Sequence, residues 1–240
     1  MRSPGRPSDV TSDPRVAQDY PVASRVRPAS EVAQHRAGGS VWIDHARLSV
    51  GDLSWLEGVE RLTMWAVELP ATLLRQLPRL WWLDIRGGSA SDVTFLQGCS
   101  GLRYLRLNQI RGVDQVESIA ELERLEFLSL YGLPRLRSFP RLGALRELRR
   151  VELGSLKGLE GIAGLLDAPG IEELLLMKMV RLGASDVELL ALYTPLKAFY
   201  WFAEDVPDRL WVPLRDRLGL PPARTLYPEE WFRARGIPVS

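Results

Sequence analysis

The chain has 240 residues, 46% of them hydrophobic and 25% charged, the composition of a soluble globular protein. A net charge of +1 argues against nucleic-acid binding through bulk positive charge, and no run approaches the roughly 18 apolar residues of a membrane-spanning helix. The Met1-Arg-Ser-Pro-Gly-Arg-Pro start has no apolar core behind it, so it does not read as a secretory signal. The single cysteine, Cys99, excludes an intramolecular disulfide, and a cytoplasmic location is expected.

Residues 1–39 are rich in Pro, Arg, Ser and Ala, with six Arg set against Asp9, Asp13, Asp19 and Glu31. Such a composition buries too little apolar surface to offset the entropy of ordering, so a flexible tail ending at Gly38-Gly39 is predicted. Order begins at Val41-Trp-Ile43, an atypical first rung with Leu48, Leu53 and Leu56 behind it.

A hexad then recurs with aliphatics at its first, fourth and sixth places. Its best copies are Leu102-Arg-Tyr-Leu-Arg-Leu107, Leu125-Glu-Phe-Leu-Ser-Leu130, Leu148-Arg-Arg-Val-Glu-Leu153 and Ile171-Glu-Glu-Leu-Leu-Leu176. These begin 23 residues apart; Val59, Leu80 and Leu196 open three more, with intervals of 21, 22 and 25 residues at the flanks. Alternation at places four and six buries one face of a short strand and leaves the intervening residues on the other.

Between the strands lie the returns 114–122, 143–147, 161–167 and 185–193. Ser185-Asp-Val-Glu188 has the form in which Ser185 caps a helix and Glu188 reaches back. The Phe139-Pro-Arg-Leu142 return is too short and proline-broken for a full helix. After Trp201 the pattern stops. Asp205-Val-Pro207 starts a helix whose Leu210, Leu214 and Leu218 share a face, with Pro213 expected to kink or split it. Pro228-Glu-Glu-Trp231-Phe232 suggests one more turn, its aromatics expected over the last rung.

Over residues 41–202 the chain resembles the leucine-rich-repeat family. The resemblance implies an α/β fold, a right-handed solenoid curved as a horseshoe, with a parallel concave sheet and short helices or turns outside. It divides the chain into the tail, a repeat domain over 40–202 (the degenerate rung plus seven repeats) and a helical C-terminal cap over 203–240. The family's ninth-place asparagine is replaced here by Val67, Gly88, Ile110, Leu133, Leu156 and Met179, similar to the subclasses with Cys or an apolar residue there. The Leu133–Pro140 return is similar to repeats of plant-type intracellular immune receptors. Leu182–Ala191 resembles a return of the cysteine-containing repeats in ubiquitin-ligase adaptors. Neither a nucleotide-binding loop nor an adaptor helix pair accompanies them.

No catalytic constellation stands out. His35 and His45 fall outside the regular repeats, and Cys99 occupies a return where the family resemblance implies a small buried residue. Metal-ligand spacing and phosphate-binding glycine loops are missing, so neither a metal nor a cofactor is expected. The concave face carries more information. At place three, Trp82, Tyr104 and Phe127 fall on adjacent rungs about 4.8 Å apart and predict an aromatic column, with Arg61 and Arg150 to either side. Asp84, Arg106, Glu152 and Tyr200 share place five; Trp65, Arg86, Asn108 and Tyr131 share place seven. Exposed aromatics beside arginines have the composition of a binding hot spot, and on that reading Tyr104→Ala costs binding but little stability. The other reading is that the rings cover strand backbone and pack on each other.

The expected function is a non-enzymatic scaffold that binds another protein on its concave face, possible roles including a bacterial immunity or defence component. The rival class is an enzyme accessory subunit or cryptic hydrolase working from the groove or the C-terminal segment. Nucleic-acid binding through the arginines is weakened by Asp84, Glu152 and Glu173 among them.

Overall fold

The computed structural model describes residues 26–202 and 204–239. In chain order its elements are β1 (Arg27–Pro28), α1 (Ala29–Val32), β2 (Gln34–Arg36), β3 (Ser40–Asp44), β4 (Ala46–Arg47) and α2 (Leu53–Leu56). The repeats follow as β5 (Arg61–Trp65), β6 (Trp82–Arg86), β7 (Tyr104–Asn108), β8 (Phe127–Tyr131), β9 (Arg150–Gly154), α3 (Ala163–Leu166), β10 (Glu173–Leu176), α4 (Ala184–Leu192) and β11 (Ala198–Trp201). The chain closes with α5 (Asp208–Leu218) and α6 (Pro228–Ala234).

Among the described residues the eight rungs and β2 form one open sheet of nine strands in the order β11-β10-β9-β8-β7-β6-β5-β3-β2, parallel except for β2 against β3. Register follows the hexad place by place: Leu83, Leu105, Leu128, Val151 and Leu174 pair in succession. The degenerate rung joins in register, Val41 opposite Leu62 and Ile43 opposite Met64. Places four and six point into one continuous core, where Leu105, Leu128, Val151 and Leu174 are fully buried. Ile110, Leu133 and Leu156 at place nine join it.

Those apolar ninth places raise the question of what satisfies the backbone as each strand turns away. Place eight adopts the left-handed conformation at Ala66, Gly87, Gln109, Gly132 and Ser155. From there its N–H donates to the next rung, Ala66 to the Arg86 carbonyl, Gly87 to Asn108, Gln109 to Tyr131 and Gly132 to Gly154, at 2.7–2.9 Å. A backbone ladder thus fills the place an asparagine ladder would take.

Four expectations are corrected. Of the tail predicted over 1–39, residues 1–25 lie outside the described residues, but 26–39 are built into the fold. β1 pairs with β4, Ala29 is fully buried, and β2 is the outermost strand of the large sheet. Gly38-Gly39, read as the end of a linker, is the turn of the β2–β3 hairpin, both glycines at positive φ. Next, α5 runs unsplit through Pro213. That proline is exposed, on the solvent side of the helix, where a carbonyl left without its helical donor is least costly.

In α4 the capping carboxylate is Asp186, not the Ser185 and Glu188 pair. It accepts from the Gly183 N–H and the Ile162 N–H, both at 2.8 Å, and so ties two successive returns together. Finally, α6 does not lie over the last rung. The last rung is met instead by α5 and by the Pro221 carbonyl, which accepts from the Phe199 N–H at 3.0 Å. The aromatics of α6 go elsewhere.

Candidate functional site

The odd places of the hexad lie on the sheet face opposite the core. The place-three column forms as the repeat predicts, with ring centroids 4.0 Å apart for Trp82 and Tyr104 and 5.2 Å for Tyr104 and Phe127. It is not exposed. Trp82 retains 3% of its surface, and Tyr104 and Phe127 retain none. Phe232 of α6 covers all three rings at 5.8–6.4 Å, and Trp231 meets Phe127 at 5.3 Å. These five rings and Val239 form a second apolar core, separated from the first by the sheet itself.

Polar contacts fix this segment along its length. Arg61 pairs with Glu229 at 2.8 Å and stacks over Trp82. The Trp231 indole N–H donates to Glu173 at 3.1 Å, while Arg235 pairs with Glu172 and lies over Trp231. Between them, Arg150 is completely buried: it donates to Glu152, to Glu173 and to the Arg224 carbonyl, and lies 5.2 Å from the centre of Phe127. Two carboxylates and a carbonyl compensate its charge, as a buried ion requires. Arg150 and Glu152, expected to face a partner, are instead internal bracing. Asp84 is likewise buried, gripped by Arg86 at 2.6–3.2 Å.

The electrostatics follow from this closure. Burial pushes the Tyr104 hydroxyl well above its ordinary range, with Asp84 adding to the effect. Burial also lowers the Arg61 guanidinium, against the opposing pull of Glu229. The hydrogen bond to Asp84 raises Arg86. Cys99, buried in its return, is pushed up to about 11 and is held as the thiol.

The remaining predicted residues are on the open part of the face. Trp65 is 40% exposed, and Arg86, Arg106, Asn108, Tyr131 and Tyr200 are partly exposed. Neighbouring Phe202, also 40% exposed, extends the place-seven row. Beside the outgoing C-terminal limb these places form a groove of about 540 Å³, floored by Arg106, Asn108, Tyr131 and Met177 and walled by Leu226 and Tyr227. Gly154 decides where Tyr131 sits: a Cβ there would lie 2.5 Å from the tyrosine ring, so only glycine lets the ring lean across this rung.

Comparison with known proteins yields no matching family model and no matching curated protein. Among solved structures the chain is similar to an internalin (inlF) from Listeria monocytogenes str. 4b F2365, at 16% identity and a TM-score of 0.29. That alignment covers 77% of this chain and 73% of the internalin. The period and the strand register decide the matter without it. This is a leucine-rich-repeat fold.

Among the described residues no helix is long and apolar enough to cross a membrane, and no cluster of His, Cys, Asp and Glu is placed to hold a metal ion. Sequence reasoning missed the contributions of Trp231, Phe232, Glu229, Arg235 and Arg224 to this face. Their signal was present, since an aromatic pair in a short terminal helix needs an apolar surface, and the place-three column was the largest apolar surface predicted.

Proposed function

We propose that this chain is a non-enzymatic, cytoplasmic protein-binding module whose docking surface is the open part of the sheet face. The observation that carries the reading is the division of that face. Place three is sealed by α6, whereas place seven keeps Trp65, Tyr131 and Phe202 in reach of solvent beside the partly exposed arginines Arg86 and Arg106. Aromatics and arginine with polar neighbours are the residues from which binding hot spots are made. On this reading residues 40–202 are a right-handed, curved scaffold, the usual hand of parallel strand connections. Residues 203–240 cap its last rung and narrow the face to the strip a partner uses.

The test is photo-crosslinking in native lysate, with a benzophenone amino acid placed at Tyr131, at Phe202 and, on the opposite side, at Arg137. A protein adduct from the first two positions and none from Arg137 is expected. Equal labelling from all three, or none from Tyr131 and Phe202, overturns the face assignment. An enzymatic role is tested on the same preparation: turnover that survives Tyr131→Ala and Phe202→Ala and is lost with α6 would move the function to the C-terminal segment.

A further inference from the structure

We propose that the first-rung end of the open face, which carries Arg36, Arg86 and Arg106 with Trp42 and Trp65, takes an acidic segment of the partner protein. Carboxylates of that segment meet the arginines, and an apolar side chain between them meets Trp65. This rests on the protein-binding reading above and names the chemistry that the partner brings to it.

The β2–β3 hairpin sets Arg36 opposite Ser40, on the same side of the sheet as Trp42. The Arg36 guanidinium lies 5.0 Å from the centre of the Trp42 ring. Arg86, reaching across β5, brings its own guanidinium to 5.3 Å from the same ring. Trp65, 40% exposed, lies between them in strand order and leans on Gly87 of the next rung, where a Cβ would come within 3.2 Å of its indole nitrogen. Guanidiniums steadied on a ring are already ordered, so less freedom is lost when they grip an anion.

The charge here is not met from within. Arg36 is exposed and has no ion pair among the described residues. Asp84 is already taken by Arg86 at 2.6–3.2 Å and stands 4.0 Å from Arg106, so one carboxylate is shared by two cations. Glu229 is held by Arg61, and the exposed Arg233 beside it has no ion pair among the described residues. With Asp44 included, the five arginines of this end face three carboxylates, an excess of two positive charges. The whole chain carries only +1, so the excess is local and selects an acidic surface on the partner.

Two arrangements favour polypeptide carboxylates over the phosphates of a nucleic acid. The Trp42 ring is already approached by two guanidiniums, which leaves Trp65 as the exposed ring of this end on which a base would stack. Asp44 pairs in register with Trp65 and is 56% exposed, so a carboxylate stands where the phosphates flanking that base would run. A polypeptide escapes this repulsion by setting a neutral, apolar residue at Trp65 and its acids to either side. The spacing suits it as well. Terminal nitrogens of Arg86 and Arg106 approach the same Asp84 oxygen and so lie within about 7 Å of each other, the separation of alternate side chains on an extended chain.

The experiment is a calorimetric titration of the full chain with a pool of end-capped octapeptides in which Glu alternates with Leu, Phe or Tyr. The same pool with Gln in place of Glu, a short oligothymidine and inorganic phosphate are the comparisons. Saturable binding of the acidic pool is expected, at least about tenfold tighter than that of any comparison. Raising the salt from about 50 to about 300 mM should weaken it at least about fivefold. Arg36→Gln, at an exposed position that folding does not depend on, should weaken the acidic pool at least about threefold, and Trp65→Ala as much. Arg137→Gln, on the opposite side, should change nothing. No saturable binding, equal binding of the Gln pool, tighter binding of oligothymidine or phosphate, or unchanged affinity in Arg36→Gln overturns the proposal. Protein adducts from Tyr131 and Phe202 without preference for the acidic pool would leave the docking face standing and remove only the acidic segment. Binding of the acidic pool without any protein adduct would remove the docking reading and this inference with it.

Discussion

Places three and seven of the repeat lie on the same face of the same strands, four residues apart, and meet opposite fates. At place three Trp82, Tyr104 and Phe127 are sealed beneath Trp231 and Phe232 and form a second core. At place seven Trp65 and Phe202 keep 40% of their surface, and Tyr131 borders an open groove. The repeat decides which face a residue is on. Whether that face is a surface or an interior depends on a helix more than 100 residues later in the chain, since α6 begins only at Pro228. An aromatic column on the outer face of a repeat is therefore not by itself a binding site; it is an apolar area that something must cover.

The contrast is most sharply broken by removing the cover or its target. Phe232→Ala and Tyr104→Ala should each cost about 3–5 kcal/mol, because both rings are fully buried and leave a cavity between sheet and helix. Urea unfolding measures this, and an unchanged midpoint for Tyr104→Ala would restore the exposed-strip reading. Arg150→Ala should cost a similar or slightly smaller amount, about 3–4 kcal/mol, by leaving Glu152 and Glu173 facing each other without their shared cation. Arg150→Met, which keeps the packing on Phe127, should be no better at neutral pH, because it leaves the same two carboxylates without their cation.

A smaller effect of opposite sign is expected at the Tyr104 hydroxyl, which is buried with no partner among the described residues. Tyr104→Phe should stabilise the protein by about 1 kcal/mol. The pH dependence follows from the raised position of this group. The unfolded chain loses its phenol proton near the ordinary value of 10.0, while the folded state holds it to higher pH. Stability from the neutral phenol is thus complete below about pH 10 and lost as pH rises above it. Cys99 contributes likewise, its share fading between its ordinary 9.0 and about 11. Melts from pH 8 to pH 11 should show a shallower decline for Tyr104→Phe than for the parent chain.

The smallest change in stability, about 0.5–1 kcal/mol, is expected for Trp65→Ala and Phe202→Ala, which lie half in water. If place seven is the docking row, Phe202→Ala should nevertheless reduce the yield of the Tyr131 crosslink by several-fold. Large stability losses there would mean that place seven, too, is covered in the folded protein.

The chain's own sequence determined the rungs, their register and the composition of the first core. Leucine at places one, four and six can be buried in only one way once strands stack every 21–25 residues, and the periodicity is local enough to read directly. It also determined which residues share the outer face, since alternation along a strand is a property of the backbone. What it left open were the ends. Gly38-Gly39 has the same composition as a linker and as a hairpin turn, and only pairing of β2 with β3 distinguishes them. The Glu229-Glu230-Trp231-Phe232 stretch announces an amphipathic turn but not the surface it will meet. That choice was made by complementarity across the folded molecule: Arg61 for Glu229, Glu173 for the Trp231 indole, and three rings for Phe232. Contacts between residues 58 to 168 positions apart leave no periodic trace, because each is made once and depends on where the intervening chain has already gone.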